Sequence, residues 1–325
     1  MSEAGLTPPS LELIEAARGR IAGTALRTPL VRLAHPGDAE VYLKLESLQP
    51  VGSFKIRGAA NAVLSLGGAA RAAGVVTASA GNFAQGLGYV ARRLGVQTTA
   101  MVPDNAATGK LRALEQLGVK LEYLPYAQWW EIVQHSPAHE SAAHFIHPSA
   151  DVDVMAGNGT IALEILEEIR PTCVLVPYGG GGLAVGIAAA LKGKGCDARV
   201  LGSESTAGTP LAAAWGAGRP VEVDFNAPTF VRGIGSTQVL PVMWPLVSKL
   251  LHGAVSASPA SIAAAIRLLV EKHHIVAEGA GAAPVAAALE GCLGAGPIVC
   301  IVSGGHLDNG DLLTILSGGV PGDCA

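Results

Sequence analysis

The chain has 325 residues, half of them hydrophobic but only 4% aromatic, with 42 glycines and a formal net charge of −4. That length allows two subdomains around substantial cores, and the composition suits sheets and helices of Val, Ile, Leu and Ala joined by tight turns. The absence of any basic block argues against nucleic acid as a partner, and no apolar run approaches the roughly 20 residues of a membrane span.

Taken in chain order, the first element is a helix expected from the cap Ser10, with Leu11, Ile14 and Ile21 on one face. Residues 1–10 before it lack the basic and apolar regions of a signal peptide. Val41 to Glu46 alternates apolar and polar residues, as a strand does, and leads to a lysine turn, Ser53-Phe54-Lys55-Ile56-Arg57-Gly58. Strand, glycine or polar turn, and helix then repeat. Val75–Ser79 leads through Ser79-Ala80-Gly81-Asn82 into a helix from Phe83 to Leu94. Thr98–Pro103 precedes a helix ending near Gly118. The segment Gln128–Ser149 reads as irregular and histidine-rich, where the chain crosses back between subdomains. Cys173–Pro177 leads through Gly179-Gly180-Gly181-Gly182 into a helix reaching Lys192, and Val200–Glu204 and Ile298–Ser303 complete the strands.

Such alternation predicts a mostly parallel sheet covered by helices, because parallel strands need crossovers. Ligands then gather at the carboxyl ends of the strands. The lysine turn, the asparagine loop, the tetraglycine and Ser303 all fall at such ends. Four consecutive glycine N–H groups at a helix start can cradle an anion without side-chain obstruction. A nucleotide P-loop would require Gly-Lys-Ser/Thr at its end, and Leu183-Ala184-Val185 follows instead. Contiguous rather than spaced glycines also fit a dinucleotide site poorly. A reactive lysine beside a phosphate cradle is the pairing required by pyridoxal 5'-phosphate. Phe54 and Ile56 flank Lys55 with apolar surface, which would lower its amine pKa and favour the neutral nucleophile.

In this order, the lysine turn, asparagine loop, tetraglycine and terminal Ser303-Gly304-Gly305 resemble the serine/threonine dehydratase branch of the pyridoxal-phosphate enzymes. The resemblance runs from Thr28-Pro29-Leu30 to Gly305. It implies the tryptophan synthase β-like architecture (fold type II), an α/β fold of two open, mostly parallel twisted sheets. A large domain of residues 1–72 and 150–325 and a small inserted domain of 73–149 would hold the cofactor between them. It also implies a homodimer, with a small amino acid as the only other partner.

For the site, the resemblance implies that Lys55 carries the cofactor and that Ser303 hydrogen-bonds the pyridine nitrogen. Asn82 would contact the phenolic oxygen, while Phe54, Gly233 and Glu278 lie beside the ring and Gly179 to Gly182 hold the phosphate. Ser79, Ala80, Gly81, Asn82 and Ser236 would face the substrate, with Ser79 joining Lys55 in catalysis. The implied reaction is β-elimination of a β-hydroxy amino acid, L-threonine or L-serine, to a 2-oxo acid and ammonia. Hydroxyectoine-catabolic dehydratases share the Ser-Ala-Gly-Asn loop, the Trp129-Trp130 pair and the Glu-Gly-Ala-Gly run, so a specialised substrate stays open. So do phenylserine and, because Arg232 stands where many dehydratases carry an acid, 3-hydroxyaspartate. A β-replacement enzyme of the cysteine synthase type is disfavoured by Phe54 and Phe83.

Several positions depart from the family pattern. Ala80 replaces the second loop serine, the acid/base of the racemases, so racemisation should be poor. Phe83 replaces a histidine, and His306 stands where asparagine is common. The family's divalent-cation site retains Glu204 but has Pro210 in place of an aspartate, so no metal is expected. His135, His139, His144 and His147 could in principle bind zinc, but Pro137 separates the first two, and a solvated loop is the better reading. Trp129 and Trp130 are expected in packing. The scattered cysteines, Cys173, Cys196, Cys292, Cys300 and Cys324, form no C-x-x-C and read as thiols in a reducing cytoplasm.

Overall fold

Ten strands account for two sheets in the computed structural model, which describes residues 5–35, 40–135, 142–224, 229–291, 293–294 and 296–322. The large sheet contains β1 (Leu30–Arg32), β2 (Val41–Lys44), β7 (Cys173–Pro177), β8 (Arg199–Ser205), β9 (Ala254–Ala257) and β10 (Ile298–Ile301). Its spatial order is β1-β2-β10-β7-β8-β9, parallel except for the edge pair β1/β2. The small sheet is all parallel, ordered β5-β4-β3-β6, from β3 (Val75–Ala78), β4 (Thr98–Pro103), β5 (Lys120–Leu124) and β6 (His144–Phe145).

The helices between them are α1 (Leu11–Ile21), α2 (Lys55–Ser65), α3 (Gly68–Ala73), α4 (Asn82–Leu94), α5 (Thr108–Gln116) and α6 (Tyr126–His135). Then come α7 (Val152–Leu166), α8 (Gly182–Gly193), α9 (Pro210–Ala217), α10 (Trp244–Leu250), α11 (Pro259–His273), α12 (Gly279–Glu290) and α13 (Asn309–Leu316). The Ser10 hydroxyl accepts from Leu13 N to cap α1, as its sequence predicts. The central strands β3, β7 and β10 are buried throughout, the mark of parallel strands covered on both faces. None of the described helices is long and apolar enough to cross a membrane.

Two expectations need correction. Lys55 does not sit in a turn but is the first residue of α2. The span from Gln128 is not irregular either: α6 runs through His135, and His144–Phe145 pairs with β3 as a strand. Trp129 and Trp130 lie on α6 and pack against the core, with the Trp129 indole N–H donating to the Met101 carbonyl at 3.1 Å.

Beneath the lysine lies a buried ionic cluster that no sequence motif advertises. The Arg57 guanidinium, 1% exposed, donates from Nε and Nη2 to Glu46 at 2.7 and 2.8 Å. Its Nη1 and Nη2 donate to Glu164 at 2.6 and 2.9 Å. The Lys44 ammonium completes the set, donating to Glu164 and to the Thr28 carbonyl, each at 2.6 Å. Burial works against the Glu46 charge, but Arg57 overcomes it and holds the carboxyl below its ordinary range. Two cations thus meet two carboxylates, linking the end of β2, the first turn of α2 and the last turns of α7. Glu164→Gln would leave this cluster with an excess buried cation. The variant is expected to lose about 3–5 kcal/mol of stability in denaturant unfolding.

Candidate active site

A cavity of about 250 Å³ opens where the carboxyl ends of both sheets face each other. Three backbone pairings build its floor. Phe54 N donates to the Ser303 carbonyl, Gly305 N to that of Gly52 and Glu278 N to that of Gly304, all at 2.9 Å. The segments before α2 and α12 are thereby fastened to the Ser-Gly-Gly turn that follows β10. Lys55, Phe54, Glu278 and Ser303 all line the cavity as a result.

The Lys55 amine lies 3.4 Å from the Pro148 carbonyl, and 4.9 and 5.8 Å from the ring centres of Phe54 and Phe83. Desolvation lowers its pKa to about 8, opposed by the charge of Glu278. A sizeable fraction is therefore neutral and nucleophilic near pH 8. Glu278 is itself pushed up to about 7 by burial, although the Asn82 amide donates to both of its oxygens at 3.0 and 3.3 Å.

On the opposite wall, the tetraglycine approaches the chain around Ser149 too closely for side chains. A Cβ on Gly182 would lie 2.6 Å from the Ser149 carbonyl, and one on Gly180 would lie 2.2 Å from the Ser149 hydroxyl. Gly181 has φ +86°, a left-handed conformation that favours glycine. The result is a turn of bare N–H groups at the start of α8, which suits a phosphate. Gly233, at φ +89°, closes this wall, its carbonyl 2.8 Å from where a Cβ on Gly179 would stand.

His147 secures the facing segment. Its Nδ1 accepts from Ser149 N at 3.0 Å and Ala150 N at 2.7 Å, and its Nε2 meets the Val133 carbonyl at 2.9 Å. Burial lowers its pKa to about 4, so the ring is neutral, with Nδ1 as acceptor and Nε2 as donor. His147 is therefore a buried brace rather than part of a solvated loop. With both nitrogens engaged by the backbone, it has no lone pair for zinc. His135 and His144 are exposed, and His139 lies outside the described residues.

The other expected positions divide. Ser79, Gly81 and Asn82 line the cavity with Phe83, and the Ser79 hydroxyl accepts from Gly81 N at 3.3 Å. Ala80 and Ser236 do not line it. Ala80 packs toward the apolar cluster of Ala84, Ala100 and Leu114, and the Ser236 hydroxyl donates to the Gln238 carbonyl at 2.6 Å. Glu204 caps α9, accepting from Leu211 N and Ala212 N at 2.7 and 3.0 Å, while burial raises its pKa to about 7. Among the described residues no group of three metal-ligating side chains is assembled. Sequence reading missed Lys110, Pro148 and Ser149 as lining residues. Lys110 follows the carboxyl end of β4, and the strand-end rule could have found it.

Comparison with known proteins agrees with this geometry. The family model described as pyridoxal-phosphate dependent enzyme matches residues 21–304. The L-threonine ammonia-lyase of Thermotoga maritima is 37% identical over 306 residues, covering 92% of this chain and 76% of the relative. Among solved structures, maize serine racemase superposes with a TM-score of 0.85 at 28% identity, covering 94% of this chain and 96% of that one. The T.th. threonine deaminase gives 0.80 at 31% identity, covering 92% and 99%. An amine whose pKa is lowered by burial lines the same cavity as a turn of bare N–H groups, inside a fold these enzymes share. The chain belongs to the pyridoxal-phosphate dependent enzymes.

Proposed function

We propose that the protein is an ammonia-lyase that converts a β-hydroxy amino acid, with L-threonine and L-serine as reference substrates, into a 2-oxo acid and ammonia. The observation that carries this reading is the Lys55 amine, at a pKa of about 8, in the cavity that also holds the tetraglycine, Asn82 and Ser303. The relatives' names agree with it, the T. maritima relative being an L-threonine ammonia-lyase.

When bound, pyridoxal phosphate supplies an electron sink for charge developing at the substrate's α-carbon. Lys55 would hold it covalently, the N–H groups of Gly179 to Gly182 its phosphate, and Ser303 and Asn82 its ring heteroatoms. When not holding the cofactor, the Lys55 amine would serve as general base toward the α-proton. The N–H groups opening α4 orient the α-carboxylate, helped by the helix dipole. Phe54 and Phe83 keep water from the reacting face. The same reading takes 1–72 with 150–325 as the large unit and 73–149 as the inserted one, and every strand of the small sheet falls within the latter. A homodimer in the cytoplasm belongs to it too, and Cys173, Cys196 and Cys300 are free thiols.

The test is release of 2-oxo acid and ammonia in equal amounts from L-threonine and L-serine by the reconstituted protein. With no hydroxyl at position 80, L-serine should give pyruvate and little D-serine by chiral analysis. Absence of 2-oxo acid from every β-hydroxy amino acid overturns the reading; rapid D-serine formation overturns the role assigned to this loop.

A further inference from the structure

The charge balance of the cavity points beyond a neutral side chain. Its titratable lining consists of Lys55, Lys110, Arg232, His306 and Glu278. Lys55 is committed to the cofactor, and Glu278 is buried against Asn82. Burial, and then the charge of Lys110, holds His306 below the usual histidine range, so it is mainly neutral at pH 7.

Lys110 and Arg232 remain. Lys110 comes from the first turn of α5 on the small-sheet side, and Arg232 from the loop before Gly233 on the large-sheet side. Both are exposed at the rim, and neither side chain has a hydrogen bond or ion pair with any described residue. Both line the one cavity; although Lys110 is exposed overall, partial desolvation of its amine and then Arg232's charge lower its pKa, with Glu278 pulling the other way. Asp311 on α13 feels the charge of Arg232 without forming an ion pair. The N–H groups of Gly179 to Gly182 account for a phosphate, and those opening α4 for an α-carboxylate. Two cations lining the remaining volume favour one further anion.

We propose that the preferred substrate is a β-hydroxy amino acid with two carboxylates, an aminodicarboxylate whose side-chain carboxylate is bound by Arg232 with Lys110. A guanidinium presents a planar fork that matches a carboxylate, and Lys110 adds a second charge from the opposite side. The reaction rests on the ammonia-lyase reading above; the binding preference does not. In it the α-proton leaves to Lys55, the Cβ–O bond breaks with loss of water, and hydrolysis of the resulting enamine returns that water. The products are a 2-oxo dicarboxylate and ammonium.

The test compares L-aspartate, which has no β-hydroxyl to lose, with the neutral L-2-aminobutyrate as ligands of the cofactor-loaded protein in calorimetry. L-Aspartate is expected to bind about tenfold more tightly. Arg232→Gln should bring the ratio close to one, and Arg232→Lys should restore part of it. Turnover of 3-hydroxyaspartate and L-threonine is measured alongside, and kcat/KM should favour the former. Equal affinities in the parent protein overturn the proposal. So does an Arg232→Gln variant that weakens both ligands alike, which would place Arg232 at the α-carboxylate. If the aspartate preference holds but neither hydroxy amino acid yields a 2-oxo acid, the ammonia-lyase reading fails and the binding inference stands.

Discussion

Lys55→Ala is expected to lose covalent retention of pyridoxal phosphate, with its visible absorbance, and to lower turnover of L-threonine by about 10⁴-fold. Among the described residues no other lysine is placed to substitute, because Lys110, the other lysine lining the cavity, stands at its rim. The pKa of about 8 adds a pH signature that needs no substrate. Mixing cofactor-free protein with the cofactor, the rate of covalent uptake should rise roughly tenfold per pH unit below about 8 and level off above it. Glu278 raises the Lys55 pKa, so Glu278→Gln should move that midpoint to lower pH. Retained absorbance in Lys55→Ala, or a flat uptake profile, would contradict the assignment of this residue.

Gly182→Ala is expected to weaken cofactor binding by about 10–100-fold, the equivalent of 1–3 kcal/mol of overpacking. Its methyl would stand 2.6 Å from the Ser149 carbonyl and 3.0 Å from the Ser149 Cα, both backbone atoms that cannot rotate away. Gly180→Ala should do less harm by comparison, because part of its conflict is with a movable hydroxyl. Gly216→Ala is the control: it lies within α9 with nothing within 4 Å, and helix propensity predicts a neutral or slightly stabilising change. Equilibrium dialysis of pyridoxal phosphate against the three variants decides the matter, and unchanged affinity in Gly182→Ala would remove the steric argument for the cradle.

The parts of the fold that were legible in the sequence are those whose signal is local. Apolar runs such as Cys173–Pro177 and Ile298–Ile301, each soon followed by glycine, identify buried parallel strands. The two-residue β6 has too little periodicity to declare itself, and it exists because β3 offers a free edge. The helical start at Lys55 was obscured by Gly52 and Ser53, which read as a turn, and Phe54 caps α2 without a side-chain bond. For the site, segments rich in glycine or bearing a lysine between apolar residues stood out. The bracing role of His147 and the place of Lys110 did not, because they depend on Val133 and Arg232, residues that only the folded chain brings near. The partners of Arg57 were hidden for the same reason: Glu46 and Glu164 lie far apart in sequence, and charged residues read as surface until paired.

The position of β10 between β2 and β7 has a consequence for how the protein is made. Val41 has Ile298 as its register partner, and Cys173 has the same residue on its other side. During synthesis, the β1/β2 hairpin therefore cannot join the rest of the large sheet until residues 298–301 have left the ribosome. The small sheet draws all its strands from 75–145 and can assemble much earlier. Ser303 and His306 arrive with the closing strand, so the cofactor can find its complete pocket only once that strand is inserted. Once β7 has emerged, β2 and β7 each present an unpaired edge until then, which leaves the nascent chain open to wrong pairing over that interval.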